Sequence, residues 1–380
     1  MTRADGPILA ALGAGQLGRM LALAAAPMGV RVRCLDPLET PCAADVAAVV
    51  RSDWTDPESL ARLAAGVAAS GGAATFEFER VPVASLEILR SLGVPCRPGP
   101  ASLAAGQDRL AEKRLFDAVG VATAPWAPAG DPDSLALAVR TVGTPGLLKL
   151  NHGGYDGKGQ VFVDDPADAP AAHDRLGAGP CIYERRVAFR RELSLVAVRT
   201  LAGDLRAYPL VENEHRRGIL FRTVAPAPSV GRAVERDAAD AAFAMMESLD
   251  HVGVFTVEFF EGPGGELLAN ETAPRVHNSG HWTIEGAPAS QFENHARAVL
   301  GWPAGEMSPR APTVMFNLIG SLPDPRAVLA VPGASLHVYG KTPRPGRKIG
   351  HVTLANAEPG DERTRELAAV VEGSFEPSPG

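Results

Sequence analysis

The N-terminal third of the chain alternates short apolar runs with stretches of helical spacing. ILAAL (8–12) reads as a buried strand, and Leu17, Met20, Leu21 and Ala24 then share one face of a helix that Pro27 and Gly29 end. RVRCLD (31–36) and AATFEF (73–78) predict two further strands, so an open parallel α/β sheet is expected. The proline-rich VPCRPGP (94–100) marks a boundary. Beyond it Asp108 is placed to cap a helix that turns Leu110, Leu115, Phe116 and Val119 inward. LLKL (147–150) and VFVD (161–164) flank the glycine-rich NHGGYDGKGQ, and CIYE (181–184) and ELSLVAVRT (192–200) continue the strand-like runs. A helix near 234–248, a hairpin at VFTVEFFEGPGGELLANE (254–271) and a separate proline-punctuated piece from about 311 to 380 complete the pattern.

Composition narrows the class. At 380 residues, with 46% hydrophobic and 21% charged positions, the chain is globular and long enough for more than one core. Its 37 basic and 44 acidic residues, net charge -7, speak against nucleic-acid or anionic-membrane partners, so any basic groups that matter are local. The N-terminal MTRADGP lacks the apolar stretch of a signal peptide and no long apolar run follows, so a cytoplasmic location is expected. Cys34, Cys42, Cys96 and Cys181 form no C-x-x-C pair and read as reduced, mostly buried thiols.

Several stretches carry chemistry. In GAGQLGRM (13–20), Gly13, Gly15 and Gly18 match a dinucleotide-binding turn, with Asp36 at the distance of a ribose-gripping acid. The tip NHGGYDGKGQ competes as a nucleotide site: Gly153, Gly154, Gly157 and Gly159 let backbone N–H groups approach phosphate and Lys158 adds a charge, although a plain surface hairpin would look similar. If GPGG (262–265) makes the later turn, Glu261 faces Glu266, Glu258 faces Ala269, and Glu271 lies on the face of Glu258 one diagonal step away. Two adjacent carboxylates on an apolar face suit a Mg²⁺ shared with substrate phosphates; a one-residue slip would separate them. Arg275, His277, Asn278, Ser279 and His281 form a polar cluster just beyond that strand, suited to an anion. KTPRPGRK puts Lys341, Arg344, Arg347 and Lys348 within eight residues, either a solvated face or a phosphate site. No Ser/His/Asp or Cys/His arrangement is recognisable, so a protein nucleophile is not expected.

Residues 7–354 resemble the ATP-grasp family of 5-(carboxyamino)imidazole ribonucleotide synthases of purine biosynthesis, through GAGQLGRM, GGYDGKGQ, YPLVENEHRRGIL, APRVHNSGHWTIE with SQFE, and PGRKIGHV. The resemblance implies an α/β and α+β fold. A Rossmann-like domain would cover 1–105, an ATP-grasp domain 106–310 (lid about 106–183, main sheet about 184–310), and a small C-terminal domain 311–380. It implies that ATP, Mg²⁺ (or Mn²⁺) and bicarbonate carboxylate the amine of 5-aminoimidazole ribonucleotide, giving ADP and phosphate, in a homodimer. ATP contacts would be Arg109, Lys149, Gly154, Tyr155, Asp156, Gly157, Lys158, Gly159, Gln160, Glu184, Arg185, Arg186, Val187, Glu192, His215, Asn270 and Glu271, with Glu258 and Glu271 on the metal. Ribonucleotide contacts would be Gln16, Leu17, Glu77, Tyr155, Lys158, Arg275, His277, Asn278, Ser279, Lys341, Arg347 and Lys348. Lys158, Arg275, His277 and Lys348 would lie nearest the chemistry, with Arg275 on bicarbonate and carboxyphosphate and His277 on the amine's proton.

The departures from the family pattern are Ala14 for a common glycine, Ala273 where many wider ATP-grasp relatives carry asparagine, and the arginine-rich YERRVAFRRE beside the adenine clamp. An NAD-linked oxidoreductase would leave the hairpin carboxylates and basic tail without a role, and a non-catalytic nucleotide-binding regulator would have no use for APRVHNSGHW. A formate- or biotin-using ATP-grasp ligase shares the architecture but not HNSGHW and PGRK.

Overall fold

A computed structural model describes residues 6–154 and 159–376. Four parallel strands, Ile8–Leu12 (β1), Arg31–Asp36 (β2), Ala48–Arg51 (β3) and Ala73–Phe76 (β4), form the first sheet in the order β3-β2-β1-β4. Every position of β1 is buried, as befits a strand covered on both faces. The strand expected over 73–78 stops at Phe76. Beyond it Glu77 gives its N–H to the Leu12 carbonyl and turns its side chain under the glycine turn.

Trp126–Ala129 (β5), Gly146–Leu150 (β6), Gln160–Val163 (β7) and Cys181–Arg185 (β8) make a second, antiparallel sheet in the order β5-β8-β6-β7. Helix Pro132–Val142 covers it, packing Leu135, Ala138 and Val139 in one cluster with Leu148 and Tyr183.

The third sheet contains Arg191–Arg199 (β9), Leu205–Ala207 (β10), Val211–Arg216 (β11), Ile219–Ala225 (β12), Gly253–Glu261 (β13), Leu267–Ala273 (β14), Thr313–Ile319 (β15), Ala334–Val338 (β16) and Lys348–Ala355 (β17). Its order is β14-β13-β9-β11-β12-β15-β17-β16, with β10 beside β9. The last strands therefore extend the main sheet instead of standing apart. Buried at all seven positions, β15 needs neighbours on both edges and cover on both faces. This end nevertheless has its own apolar cluster, including Phe316, Val352, Leu354, Leu367 and Val371.

Helix Gln16–Ala25 joins the first sheet to the third: Leu17 and Leu21 share a cluster with Phe292 and Val299 of helix Gln291–Val299. Helix Arg109–Ala118 starts as expected, the Asp108 carboxylate accepting from the Ala111 N–H at 2.9 Å. Its inward face differs from expectation. Phe116 is buried, but Leu110, Leu115 and Val119 are half-buried while Glu112 and Lys113 go inside. The reason lies in β14, which supplies polar partners: Lys113 Nζ donates to the Asn270 carbonyl at 2.9 Å, and Glu112 accepts from the N–H and hydroxyl of Thr272, both at 2.6 Å.

Among the described residues no helix is long and apolar enough to cross a membrane. All four cysteines are unpaired.

Candidate active site

One cleft of about 1580 Å³ is bordered by the glycine turn, by the second and third sheets and by the basic loop before β17. At its N-terminal end the turn is already occupied by the protein's own carboxylates. Gly15 and Gly18 donate their N–H groups to the two oxygens of Glu77, while Asp36 accepts from Ala14 and Leu38, both at 2.8 Å. Gly13 holds φ at +107°, and a Cβ there would stand 2.2 Å from the Glu77 side chain, so glycine is required. Burial pushes the Glu77 carboxyl up to about 6, against the lowering effect of the Gly18 and Gly15 bonds. Glu77 thus lies beneath the turn and does not line the cleft, whereas Gln16 and Leu17 do. Asp36, 3% exposed with both oxygens engaged, offers nothing to a ribose, which removes the basis of the dinucleotide reading.

In the middle of the cleft the two glutamates meet, but not in the expected register. Glu258 stands directly opposite Glu271, because a bulge at Asn270 shifts the ladder between Glu258 and Phe259; Glu261 pairs with Leu267, not Glu266, and Ala269 faces Phe259. The turn is one residue wider than GPGG, with the Gly262 N–H on the Glu266 carbonyl. The carboxylates come closer together than the diagonal placement allowed. Each has a cationic or ring partner: Arg109 Nη1 lies 3.0 Å from Glu271, and His277 Nε2 lies 3.1 Å from Glu258. Burial would raise the Glu271 carboxyl, but Arg109 and Lys149 outweigh it and hold it down to about 2.

Behind this pair Glu184, 4% exposed, sits 2.9 Å from Lys149 and 3.7 Å from Lys113. Burial works against its charge, and the two lysines still keep its carboxyl below the ordinary range. Across the cleft His215 Nδ1 lies 2.7 Å from Glu192; despite burial, this bond raises the imidazole above its ordinary value. Together these groups make a buried, cation-rich corner suited to polyphosphate.

The polar cluster beyond β14 is braced internally. His277 sits between Ser279 Oγ, 2.8 Å from Nδ1, and Glu258, while the Gln291 amide grips its backbone on both sides. Ser279 is fully buried and serves the ring rather than the cleft wall. Arg275 Nε lies 2.8 Å from Glu79, and Asn278 exchanges amide hydrogen bonds with Asn317. Lys341, Arg344, Arg347 and Lys348 also line the cleft, with Lys341 near enough to the glycine turn to act on Glu77 and Cys42. Burial lowers the Lys341 ammonium from its ordinary value, as does Arg347.

Of the expected ATP contacts, Arg109, Lys149, Gly154, Gln160, Glu184, Arg185, Arg186, Val187, Glu192, His215, Asn270 and Glu271 all line the cleft. Gly159 holds φ at +72° beside Leu150. Tyr155, Asp156, Gly157 and Lys158 lie outside the described residues. The extra arginines part company: Arg186 stacks over Phe162 at 5.1 Å, whereas Arg190 and Arg191 turn to Glu261. Phe189, stacked on Phe260 at 4.7 Å, adds an aromatic wall that spacing alone did not single out. Glu112, Lys113 and Glu79 were also missed; the first two carried one readable signal, an adjacent acid and base on an otherwise amphipathic helix.

The chain matches the ribonucleotide synthetase preATP-grasp domain over residues 8–107, the ATP-grasp domain over 114–292 and the phosphoribosylaminoimidazole carboxylase C-terminal domain over 313–365. It is 45% identical to the N5-carboxyaminoimidazole ribonucleotide synthase of Pseudomonas aeruginosa, across 95% of this chain and 98% of that one. The N5-carboxyaminoimidazole ribonucleotide synthetase of Thermus thermophilus superposes with a TM-score of 0.90 at 46% identity, over 98% of this chain and 99% of that one. The Aspergillus clavatus synthase, solved with ADP and 5-aminoimidazole ribonucleotide, superposes with a TM-score of 0.88 at 30% identity, covering 98% of this chain and 100% of that one. Three consecutive domain matches and these full-length likenesses agree with the cleft's chemistry, and the chain belongs to the N5-carboxyaminoimidazole ribonucleotide synthase family of ATP-grasp enzymes.

Proposed function

We propose that this chain uses ATP and bicarbonate to carboxylate the exocyclic amine of 5-aminoimidazole ribonucleotide, releasing ADP and phosphate. One observation carries the reading: a single cleft joins the Glu258–Glu271 pair, then Arg275 and His277, then the basic loop. It therefore offers polyphosphate and phosphate sites on either side of one reaction centre. The Aspergillus clavatus structure is named for ADP and 5-aminoimidazole ribonucleotide, the released nucleotide and the acceptor of this reaction.

Glu258 and Glu271 fit a divalent ion: two hard oxygen donors face each other on one ladder rung, and phosphate oxygens would complete the shell. Among the described residues no group of three His, Cys, Asp or Glu side chains converges. Bound there, Mg²⁺ or Mn²⁺ would neutralise charge on the transferring phosphoryl group.

In this reading Arg109 and Lys149 hold the triphosphate, and Glu184–Val187 border the base. Bicarbonate, held by Arg275, attacks the γ-phosphorus; the bond to the ADP oxygen breaks and carboxyphosphate forms. The amine nitrogen then takes the carboxyl carbon, phosphate leaves, and His277 accepts the nitrogen's proton. Lys341, Arg347 and Lys348 hold the ribonucleotide's phosphate, and Gln16 and Leu17 meet its other end. Shielding carboxyphosphate from water is the role this reading gives to the glycine-rich loop. A cytoplasmic homodimer belongs to the same reading.

ADP release in bicarbonate, with and without 5-aminoimidazole ribonucleotide, tests the reaction. Stimulation by the ribonucleotide is expected. Turnover that ignores it but responds to formate or another amine would end this reading.

A further inference from the structure

The basic loop that follows β16 is fixed from the far end of the chain. Gly346 donates its N–H to the Glu376 carbonyl at 2.7 Å, and Glu376 in turn donates to Ile319 at the end of β15 at 2.9 Å. Gly320 closes the same corner, donating to the Arg347 carbonyl at 3.0 Å. Its φ of +92° and a would-be Cβ 2.2 Å from Glu376 Cβ leave room for no side chain, so the segment is pressed directly against the loop's base.

The segment is itself anchored. Phe375 meets Phe221 edge to face at 5.5 Å, and Arg216 covers Phe221 at 3.7 Å while pairing with Glu372 at 2.9 Å. Ser321 Oγ donates to the Ser374 carbonyl at 3.0 Å. The C-terminal domain match covers residues 313–365, so Ile319, Gly320, Ser321, Gly346 and Arg347 lie within it while the segment that meets them, Glu372–Glu376, lies beyond it.

We propose that Ser374–Glu376 is a positioning strut for the ribonucleotide's phosphate, acting through Gly346 and Arg347. The inference rests on the assignment of the loop's cations to that phosphate. Several cations converging on one anion bind it well only when their backbone is ordered beforehand, because ordering the loop on binding would subtract from affinity. The strut supplies that order through main-chain bonds, which explains why it ends in a backbone contact rather than a side chain in the cleft.

The test deletes residues 374–380 and, separately, replaces Phe375→Ala, which loosens the anchor without shortening the chain. Each change is also made in an Arg347→Ala background. KM for the ribonucleotide is expected to rise about tenfold, the equivalent of roughly 1.4 kcal/mol, with kcat and the KM for ATP within about twofold. In the Arg347→Ala background the same changes should cost about twofold or less, because the lost interaction is already absent. Additive costs, or equal losses on both substrates, would show a merely structural tail and overturn the inference. Should the truncated chain fail to fold, Phe375→Ala decides alone. An unmodified chain that ignores the ribonucleotide overturns the functional reading, and the strut with it; a responsive chain indifferent to both changes overturns the strut only.

Discussion

The two phosphate-friendly corners of this cleft are wired in opposite senses. At the glycine turn, the backbone donors are consumed by Asp36 and Glu77. At the central corner, carboxylates hold side-chain cations: Glu184 with Lys149 and Lys113, Glu271 with Arg109. At the first corner the N-terminus of helix Gln16–Ala25 attracts anions. The protein answers the first with its own buried acid and leaves the second with side-chain cations that an incoming polyphosphate can recruit. A glycine motif therefore locates a strand-to-helix turn, while the partners of its N–H groups decide whether a ligand can use it.

The largest effect that sharpens this contrast is Glu271→Gln. Removing one preorganised charge at the transfer site should lower kcat for ATP turnover roughly 100- to 1,000-fold, with the fold intact by circular dichroism. A rate near that of the unaltered protein would remove Glu271 from the centre and make the two corners alike.

Next in size is Glu77→Ala, which strips the acceptors from the Gly15 and Gly18 N–H groups. A buried donor left unsatisfied costs about 1–3 kcal/mol, so urea unfolding should show a loss of that order. If stability is unchanged and ATP turnover collapses instead, the turn is a ligand site and not a self-satisfied one.

How far this contrast could be read in advance differs by residue. The apolar run at β1 was legible, because continuous burial leaves an unmistakable hydrophobic string. The hairpin was legible, but its register was not, because the bulge at Asn270 is held by Lys113 from a distant helix. Glu112 and Lys113 were hidden for the same reason: charged helix positions read as outward until a polar strand backbone is placed beneath them. The family resemblance set Glu77 and Ser279 against the ribonucleotide, yet only the fold shows them serving Gly15, Gly18 and His277.

The two corners should also titrate in opposite directions. Burial raises the Glu77 carboxyl from 4.5 to about 6, so its contribution is present below pH 4.5 and lost as pH rises through 6. Glu271 is lowered from 4.5 to about 2, so its contribution is present above pH 4.5 and lost as pH falls towards 2. Relative to Glu77→Gln, the unaltered chain should lose up to about 2 kcal/mol as pH rises from well below 4.5 to well above 6. Relative to Glu271→Gln it should lose stability only on acidification. Buried His251, His281, His295 and His351, all lowered by burial, steepen acid unfolding in each protein alike, so the differences between variants carry the signal. Parallel pH profiles for the two variants would dissolve the contrast.

The smallest expected effect is a null, and it strikes at the motif itself. Titration with NAD⁺, followed calorimetrically to millimolar concentration, should give no saturable heat. To bind at GAGQLG, a pyrophosphate would have to displace Glu77 from two N–H groups, and a ribose would have to break Asp36 from Ala14 and Leu38. Each exchange removes charge-assisted bonds that are already made, in a site where Asp36 is 3% exposed. Saturable binding that Asp36→Asn abolishes would reverse the assignment of the two corners. Without it, the surfaces left to a ligand at this end are the side chains of Gln16 and Leu17, which face the cleft from the first turn of the helix. In the proposed reading they shape the ribonucleotide's fit there, while Lys341, Arg347 and Lys348 meet its charge.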